Sequence, residues 1–191
     1  MTAIVGIISN NGKVHIAGDG ASVSGMFATY RKDRKVFRNG KYVMGFTTSY
    51  RMGQILQYHF KPPTPNAEDK KDLFKFMVCK FVPKVRKSLE ENHWLLTDKG
   101  RDEAGAWLVG IQGRLFEIDS DLQVVEPEHF AAIGCGREIA MGALFAYLSA
   151  GNGICGKLPQ GGSLEALRTA LFASAKYSTC VYEPFHFVSE K

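Results

Sequence analysis

Thr2-Ala3-Ile4-Val5-Gly6-Ile7-Ile8-Ser9-Asn10-Asn11-Gly12-Lys13-Val14-His15-Ile16-Ala17-Gly18-Asp19-Gly20 sets two short apolar runs around a turn. Residues 4–8 and 14–17 are rich in β-branched side chains. They flank Asn10-Asn11-Gly12, and strand formers on either side of an Asn-Gly pair are a hairpin signal. A second hairpin is predicted from Val36-Phe37 and Tyr42-Val43-Met44 around Asn39-Gly40. Residues 49–60 then keep Met52, Ile55, Leu56 and Phe60 on one face, which predicts a helix. Lys61-Pro62-Pro63-Thr64-Pro65-Asn66 breaks it. A second helix is predicted over 68–93, with Leu73, Phe74, Met77, Val78, Phe81, Val82, Val85 and Leu89 as its apolar stripe and a kink at Pro83.

The second half repeats this order. Residues 106–111 and 115–118 flank Gln112-Gly113 as a third hairpin, and a strand over 130–133 runs into Gly134-Cys135-Gly136. Helices are predicted over 137–149 and 163–176, the latter with Ser163 as its N-cap, on either side of a Gly-rich loop at 151–162. A strand over 179–188 closes the chain. Hairpin-linked strands pair antiparallel, and helix pairs on the outer faces of two stacked sheets would bury every apolar stripe. The expected fold class is therefore α+β, a four-layer αββα sandwich, with residues 1–191 as one domain.

Composition bounds the function classes. Of 191 residues, 45% are hydrophobic and 23% charged, which excludes disordered and collagen-like chains. The longest nearly apolar run, residues 139–150, is too short for a membrane span, which needs about 20 residues. The start of the sequence shows no basic n-region and is not read as a signal peptide. Four scattered cysteines, Cys79, Cys135, Cys155 and Cys180, form no disulfide framework or CxxC motif, and a reduced cytoplasmic setting is expected. The five histidines have no metal-ligand spacing. Arg31, Lys32, Arg34, Lys35, Arg38 and Lys41 read as a solvated loop and strand edge, and nucleic acid is not the expected partner. Gly134-Cys135-Gly136 is followed by Ile139 where a dinucleotide loop has a small residue, and there is no GxxxxGK[ST]. No cofactor is required by these patterns.

Four residues stand in a suggestive order. Thr2 begins the first strand, Asp19 ends its hairpin partner, Lys35 begins the next strand, and Thr48 precedes a helix. Together with Ala132-Ile133-Gly134-Cys135-Gly136 and Cys180-Val181-Tyr182, this set resembles the proteasome β-type subunits, and most closely the HslV-like peptidases. The similarity in order and spacing runs across nearly the whole chain.

The resemblance implies an N-terminal nucleophile hydrolase of the threonine peptidase type. Methionine is commonly trimmed before a small residue, and loss of Met1 would free the Thr2 amine. With Met1 attached, that nitrogen is an amide and no base. A free α-amino group titrates near 7.7–8.0 and can take the hydroxyl proton. Lys35 would favour the alkoxide, Asp19 would hold Lys35, and the backbone N–H near Thr48 would receive the oxyanion. The sequence departs from the family's pattern at Thr48 (usually Gly), Cys135 (usually Ser) and Ser178 (usually Asp). The resemblance also implies backbone carbonyls at Tyr177, Cys180 and Glu183 as ligands for a structural monovalent cation. It implies a homo-oligomeric ring of stacked hexamers or heptamers, served by a separate AAA+ unfoldase and acting on proteins or peptides. The Phe-rich stripe of residues 73–89 and the small residues Gly142, Ala143 and Ala146 are the expected assembly faces. Two alternatives remain open at this stage: a catalytically inactive proteasome-like shell protein, and a hydrolase of small amides.

Overall fold

The computed structural model describes residues 2–152 and 162–191. One sheet contains β1 (Ala3–Ile8), β2 (Val14–Asp19), β12 (Phe130–Gly134) and β13 (Phe185–Ser189), in the spatial order β12-β1-β2-β13. The other contains β5 (Val36–Asn39), β6 (Tyr42–Phe46), β9 (Trp107–Ile111), β10 (Arg114–Ile118) and β11 (Val124–Val125), in the order β11-β10-β9-β6-β5. Every pairing is antiparallel.

The layers follow from side-chain alternation along single strands. In β1, Ala3, Val5 and Ile7 face α4 (Arg137–Asn152) and α5 (Gly162–Tyr177), while Ile4 faces the second sheet. In β6, Tyr42, Met44 and Phe46 face the other helical layer, and Val43 faces the first sheet. Because both faces are buried, these strands read as continuous apolar runs rather than as hydrophobic-polar alternation. The expected four-layer αββα sandwich is the observed architecture. At Gly45 the two sheets come so close that a Cβ there would lie 2.6 Å from Ile4 Cγ2 and 2.9 Å from Ile16 Cγ2.

The helix predicted over 49–60 runs from Tyr50, as α1 (Tyr50–Gln54) and a π-helical turn, Ile55–His59. Ser49 is its N-cap, its hydroxyl accepting from the backbone N–H of Arg51 and Met52. The second helix begins at Leu73 rather than at 68. Asn66 and Asp69 hold each other's backbone N–H at 3.1 and 2.9 Å, and Asp72 caps Lys75 at 3.0 Å. These polar side chains offer the backbone partners outside a helix, so the helix starts after them. It comprises α2 (Leu73–Phe76), a π-helical turn (Met77–Phe81) and α3 (Val82–Glu91). Pro83 has no N–H to give an α-helical bond. The chain widens just ahead of it, and the Val82 N–H reaches back to the Met77 carbonyl.

The π-helical turn also shifts the helix phase. Leu73, Phe76, Met77, Phe81, Val85 and Leu89 are buried against the chain's own second sheet. Phe74 and Val78, expected in the stripe, are 39% and 43% exposed. The buried part of this stripe is therefore intramolecular core.

Other boundaries move for local reasons. The third hairpin turns on Gln112 (φ 52°) and Gly113 (φ 73°), the paired positive φ of a type I′ turn. The closing strand starts at Phe185, not at 179, since Pro184 brings no N–H to a ladder. Ser163 lies inside α5, which begins at Gly162, so it is not the flanking cap. Residues 153–161 of the expected Gly-rich loop lie outside the described residues, as does Met1. Two hairpins were not expected from the sequence: β3 (Ala21–Ser24) with β4 (Phe27–Tyr30), and β7 (Leu96–Asp98) with β8 (Arg101–Glu103). Among the described residues, no helix is long and apolar enough to cross a membrane.

Candidate active site at the end of the central strands

Thr2, Asp19 and Lys35 converge because adjacent or stacked strands begin or end at the same edge of the sandwich. Thr2 precedes β1, Asp19 is the last residue of β2, and Lys35 precedes β5. All three are buried. The Lys35 ammonium donates to both Asp19 oxygens, at 2.8 and 2.9 Å, and to the Ala21 carbonyl at 2.6 Å. The Asp19 carboxylate also accepts the Ala3 N–H at 3.0 Å, which ties the residue after Thr2 to the same pair. Burial pushes the Lys35 ammonium below the ordinary lysine range, against the pull of Asp19. Burial likewise pushes the Asp19 carboxyl up, opposed by Lys35 and by the backbone N–H groups of Ala3 and Ala21.

Thr2 and Lys35 line one recess of about 90 Å³ with Ser22, Val23, Phe46, Thr47, Thr48, Ser49 and Tyr50. A larger cavity, about 540 Å³, lies at the far ends of β2 and β5, among Lys13, Arg38 and Glu190. It holds none of the convergent groups, so size does not mark the site here.

Thr48 has φ 74°, a left-handed conformation that costs a β-branched residue on the order of 1–3 kcal/mol. Its N–H donates to no other group among the described residues. Its side chain leans on the neighbouring loop, with Oγ1 taking the Ala106 N–H at 3.5 Å and lying close against Gly105. The side chain thus packs toward Gly105 and Ala106, while the backbone N–H stays available.

Cys135 reaches Thr2 from the other side. The Thr2 N–H donates to its sulfur at 3.1 Å, and the thiol lies 3.3 Å from the Thr2 carbonyl. Desolvation pushes the Cys135 thiol up, the Thr2 N–H pulls it back, and Cys180 pushes it up again. Ser178 takes the Cys180 N–H at 3.3 Å, and its own N–H closes onto the Ser174 carbonyl at the end of α5. Tyr177 ends α5 and is exposed, with Cys180 and Glu183 on the turn that follows. That turn is braced by the Tyr182 hydroxyl on the Thr179 carbonyl at 3.0 Å.

Sequence reasoning missed Tyr50. It opens α1, stands edge-on to Phe46 with ring centroids 5.6 Å apart, and carries the Arg31 guanidinium 3.9 Å above its ring. Asp33 fixes Arg31 through two bonds, 2.8 and 2.6 Å. The Tyr50 hydroxyl is buried without a hydrogen-bond partner among the described residues, and burial pushes its pKa up to about 12. The position after an N-cap serine was the available signal, but it says nothing about which wall that residue forms.

Solved structures with this architecture are numerous. BPH of Thiobacillus denitrificans in complex with epoxomicin superposes with a TM-score of 0.75 at 20% identity, covering 98% of each chain. BPH of the same organism in a second structure gives 0.73 at 19% identity, over 98% of this chain and 97% of that one. The fold is that of HslV and BPH. The eukaryotic HslV of Trypanosoma brucei gives 0.67 at 19% identity over 99% of both chains. No protein-family model and no curated protein matches the sequence. The HslV-type fold is therefore carried by tertiary structure at an identity where pairwise sequence similarity has faded.

Proposed function

We propose that this chain is a threonine peptidase acting through Thr2 once Met1 is removed. One observation carries the reading: a buried Lys35 ammonium, clamped by Asp19 and the Ala21 carbonyl, lines the same recess as Thr2. A buried ion pair is weak support for folding, since taking both charges out of water costs several kcal/mol per ion. Its location beside a hydroxyl nucleophile gives that cost a chemical use.

The neutral Thr2 amine takes the Oγ1 proton, directly or through a water, as Oγ1 attacks the carbonyl carbon of the substrate. Lys35 lowers the energy of the developing alkoxide, and Asp19 keeps Lys35 charged and in place. The Thr48 N–H donates to the oxyanion of the tetrahedral intermediate. The resulting Thr2 ammonium protonates the leaving amine, and an acyl ester remains on Oγ1. Water, deprotonated by the same amine, then releases the acid and restores the hydroxyl. Cys135 accepts from the Thr2 nitrogen and orients it.

The peptidase works in a closed homo-oligomeric ring, in stacked hexamers or heptamers, fed by a separate AAA+ unfoldase and located in the cytoplasm. Support comes from the β3–β4 hairpin next to the recess, where Met26, Phe27 and Tyr30 are 96%, 78% and 64% exposed. An apolar cluster of this kind on a lone chain marks an interaction surface.

The test uses a peptide epoxyketone, the class to which the epoxomicin bound to BPH belongs. Wild-type protein should gain one inhibitor mass on Thr2, with Met1 absent, and Thr2→Ala should gain none. Labelling that persists in Thr2→Ala, or maps to Cys135, refutes the assignment. Retained Met1 with no labelling identifies an inactive shell protein.

A further inference from the structure

The recess beside Thr2 is small and its walls are pinned. Thr2 is 4% exposed, so a carbonyl carbon attacked by Oγ1 has to enter the recess. The space there is about 90 Å³. A closed apolar cavity of about 150 Å³ takes one benzene ring. The residue that brings the carbonyl therefore has no room for an aromatic or long side chain next to Thr2, whereas a methyl or hydroxymethyl group fits.

Phe46 and Tyr50 are the aromatic members of the lining, and Ser22, Thr47, Thr48 and Ser49 supply hydroxyls. Neither ring can withdraw. Phe46 is buried and seated on Gly53 of α1, where a Cβ would lie 2.2 Å from its Cζ. Tyr50 stands edge-on to Phe46, and the Arg31 guanidinium lies 3.9 Å from its ring centroid, held there by two bonds from Asp33. Its backbone is fixed as well, because Ser49 caps α1 and the Ser49 carbonyl accepts the Gly53 N–H at 3.1 Å.

We propose that Phe46 and Tyr50 restrict the chain to peptides with a small acyl-side residue, meaning that the residue whose carbonyl Thr2 attacks is glycine, alanine or serine. This substrate class rests on the peptidase reading. A larger side chain meets Tyr50 before the carbonyl oxygen reaches the Thr48 N–H. It then loses the oxyanion contact or has to displace a braced ring. A misplacement of about 1 Å at the reacting centre costs on the order of 10²-fold in rate. Tyr50 acts here through its bulk, as a specificity-determining residue, and not through its hydroxyl.

The experiment treats the full chain with two peptide epoxyketones that differ at one position, the residue bearing the ketone being alanine in one and phenylalanine in the other. Intact mass spectrometry follows the rate of mass gain, and peptide mapping places it on Thr2. The alanine reagent should label wild type about 10²-fold faster. Tyr50→Ala should bring that ratio below about tenfold by speeding the phenylalanine reagent, and Tyr50→Phe, which keeps the bulk, should preserve the wild-type ratio. The wild-type ratio decides the substrate class even where Tyr50→Ala does not fold. Equal or faster labelling by the phenylalanine reagent overturns the size restriction and leaves the peptidase reading standing. An unchanged ratio in folded Tyr50→Ala, or a relaxed one in Tyr50→Phe, overturns the role of Tyr50. If neither reagent labels wild type, the peptidase reading fails and the substrate class falls with it.

Discussion

Replacing Lys35 with methionine should separate what the buried pair does for folding from what it does for chemistry. Lys35 is 2% exposed and Asp19 is fully buried. The substitution keeps most of the side-chain volume and removes three charge-assisted hydrogen bonds, two to Asp19 and one to the Ala21 carbonyl. It leaves an unpaired carboxylate in the interior, a change that typically costs about 3–5 kcal/mol. The Ala3 and Ala21 N–H groups still solvate Asp19, so the lower end is expected. Asp19→Asn in the same chain removes the orphan charge and should recover at least about half of the loss, as expected when a buried pair is removed whole. Turnover should behave differently. It should fall on the order of 10²-fold or more in both variants, given the usual effect of a single electrostatic group.

The pH dependence provides a sign check. Without Lys35, desolvation holds the folded-state Asp19 pKa above its unfolded value of about 3.9, so the native state binds more protons than the unfolded one between the two values. Stability of Lys35→Met should therefore fall as pH rises through that window, and its deficit against wild type should be smallest in mild acid. Urea unfolding at fixed protein concentration, followed by far-UV circular dichroism, measures all of this. A Lys35→Met chain within about 0.5 kcal/mol of wild type at neutral pH refutes the reasoning, since that is the range of neutral surface substitutions. So does a double variant no more stable than the single one.

Gly45→Ala places a methyl 2.6 Å from Ile4 and 2.9 Å from Ile16, and should cost about 1–3 kcal/mol in the same unfolding assay. Thr48→Gly relieves a positive φ at a β-branched residue and should raise stability by about 1 kcal/mol while retaining turnover, because the proposed donor is backbone; loss of activity would show that the side chain takes part. With the Thr2 amine as base, kcat/KM for a fluorogenic peptide should rise with pH through about 7.7–8.0, and a flat profile from pH 6 to 9 (roughly one unit or more either side) would exclude that base. Light scattering at micromolar concentration should give a mass many times that of the 21.1 kDa chain, and a stable monomer would remove the compartment.

The sequence by itself determined the order of elements, and its resemblance to the HslV-like peptidases singled out the convergent residues. Asn-Gly and Gln-Gly turns fix hairpins locally, and apolar runs such as Ile4 to Ile8 announce strands buried on both faces. These are short-range effects, and they placed Thr2, Asp19 and Lys35 at the ends of strands before any contact was known. Sequence alone did not reveal the β3–β4 hairpin, because its strands are four residues each and Phe27 and Tyr30, three apart, do not keep a period of two. Nor did it reveal the phase of the second helix: Pro83 was legible as a disturbance, but only packing decided that the chain would widen ahead of it and turn Phe74 and Val78 outward. The Ser174 hydroxyl reaches the Gly136 carbonyl only because α5 packs beside α4, and the Arg31 guanidinium meets Tyr50 only in the folded chain. Such contacts join residues far apart in the chain, and no local propensity carries them, because their energy exists only after both sheets have stacked.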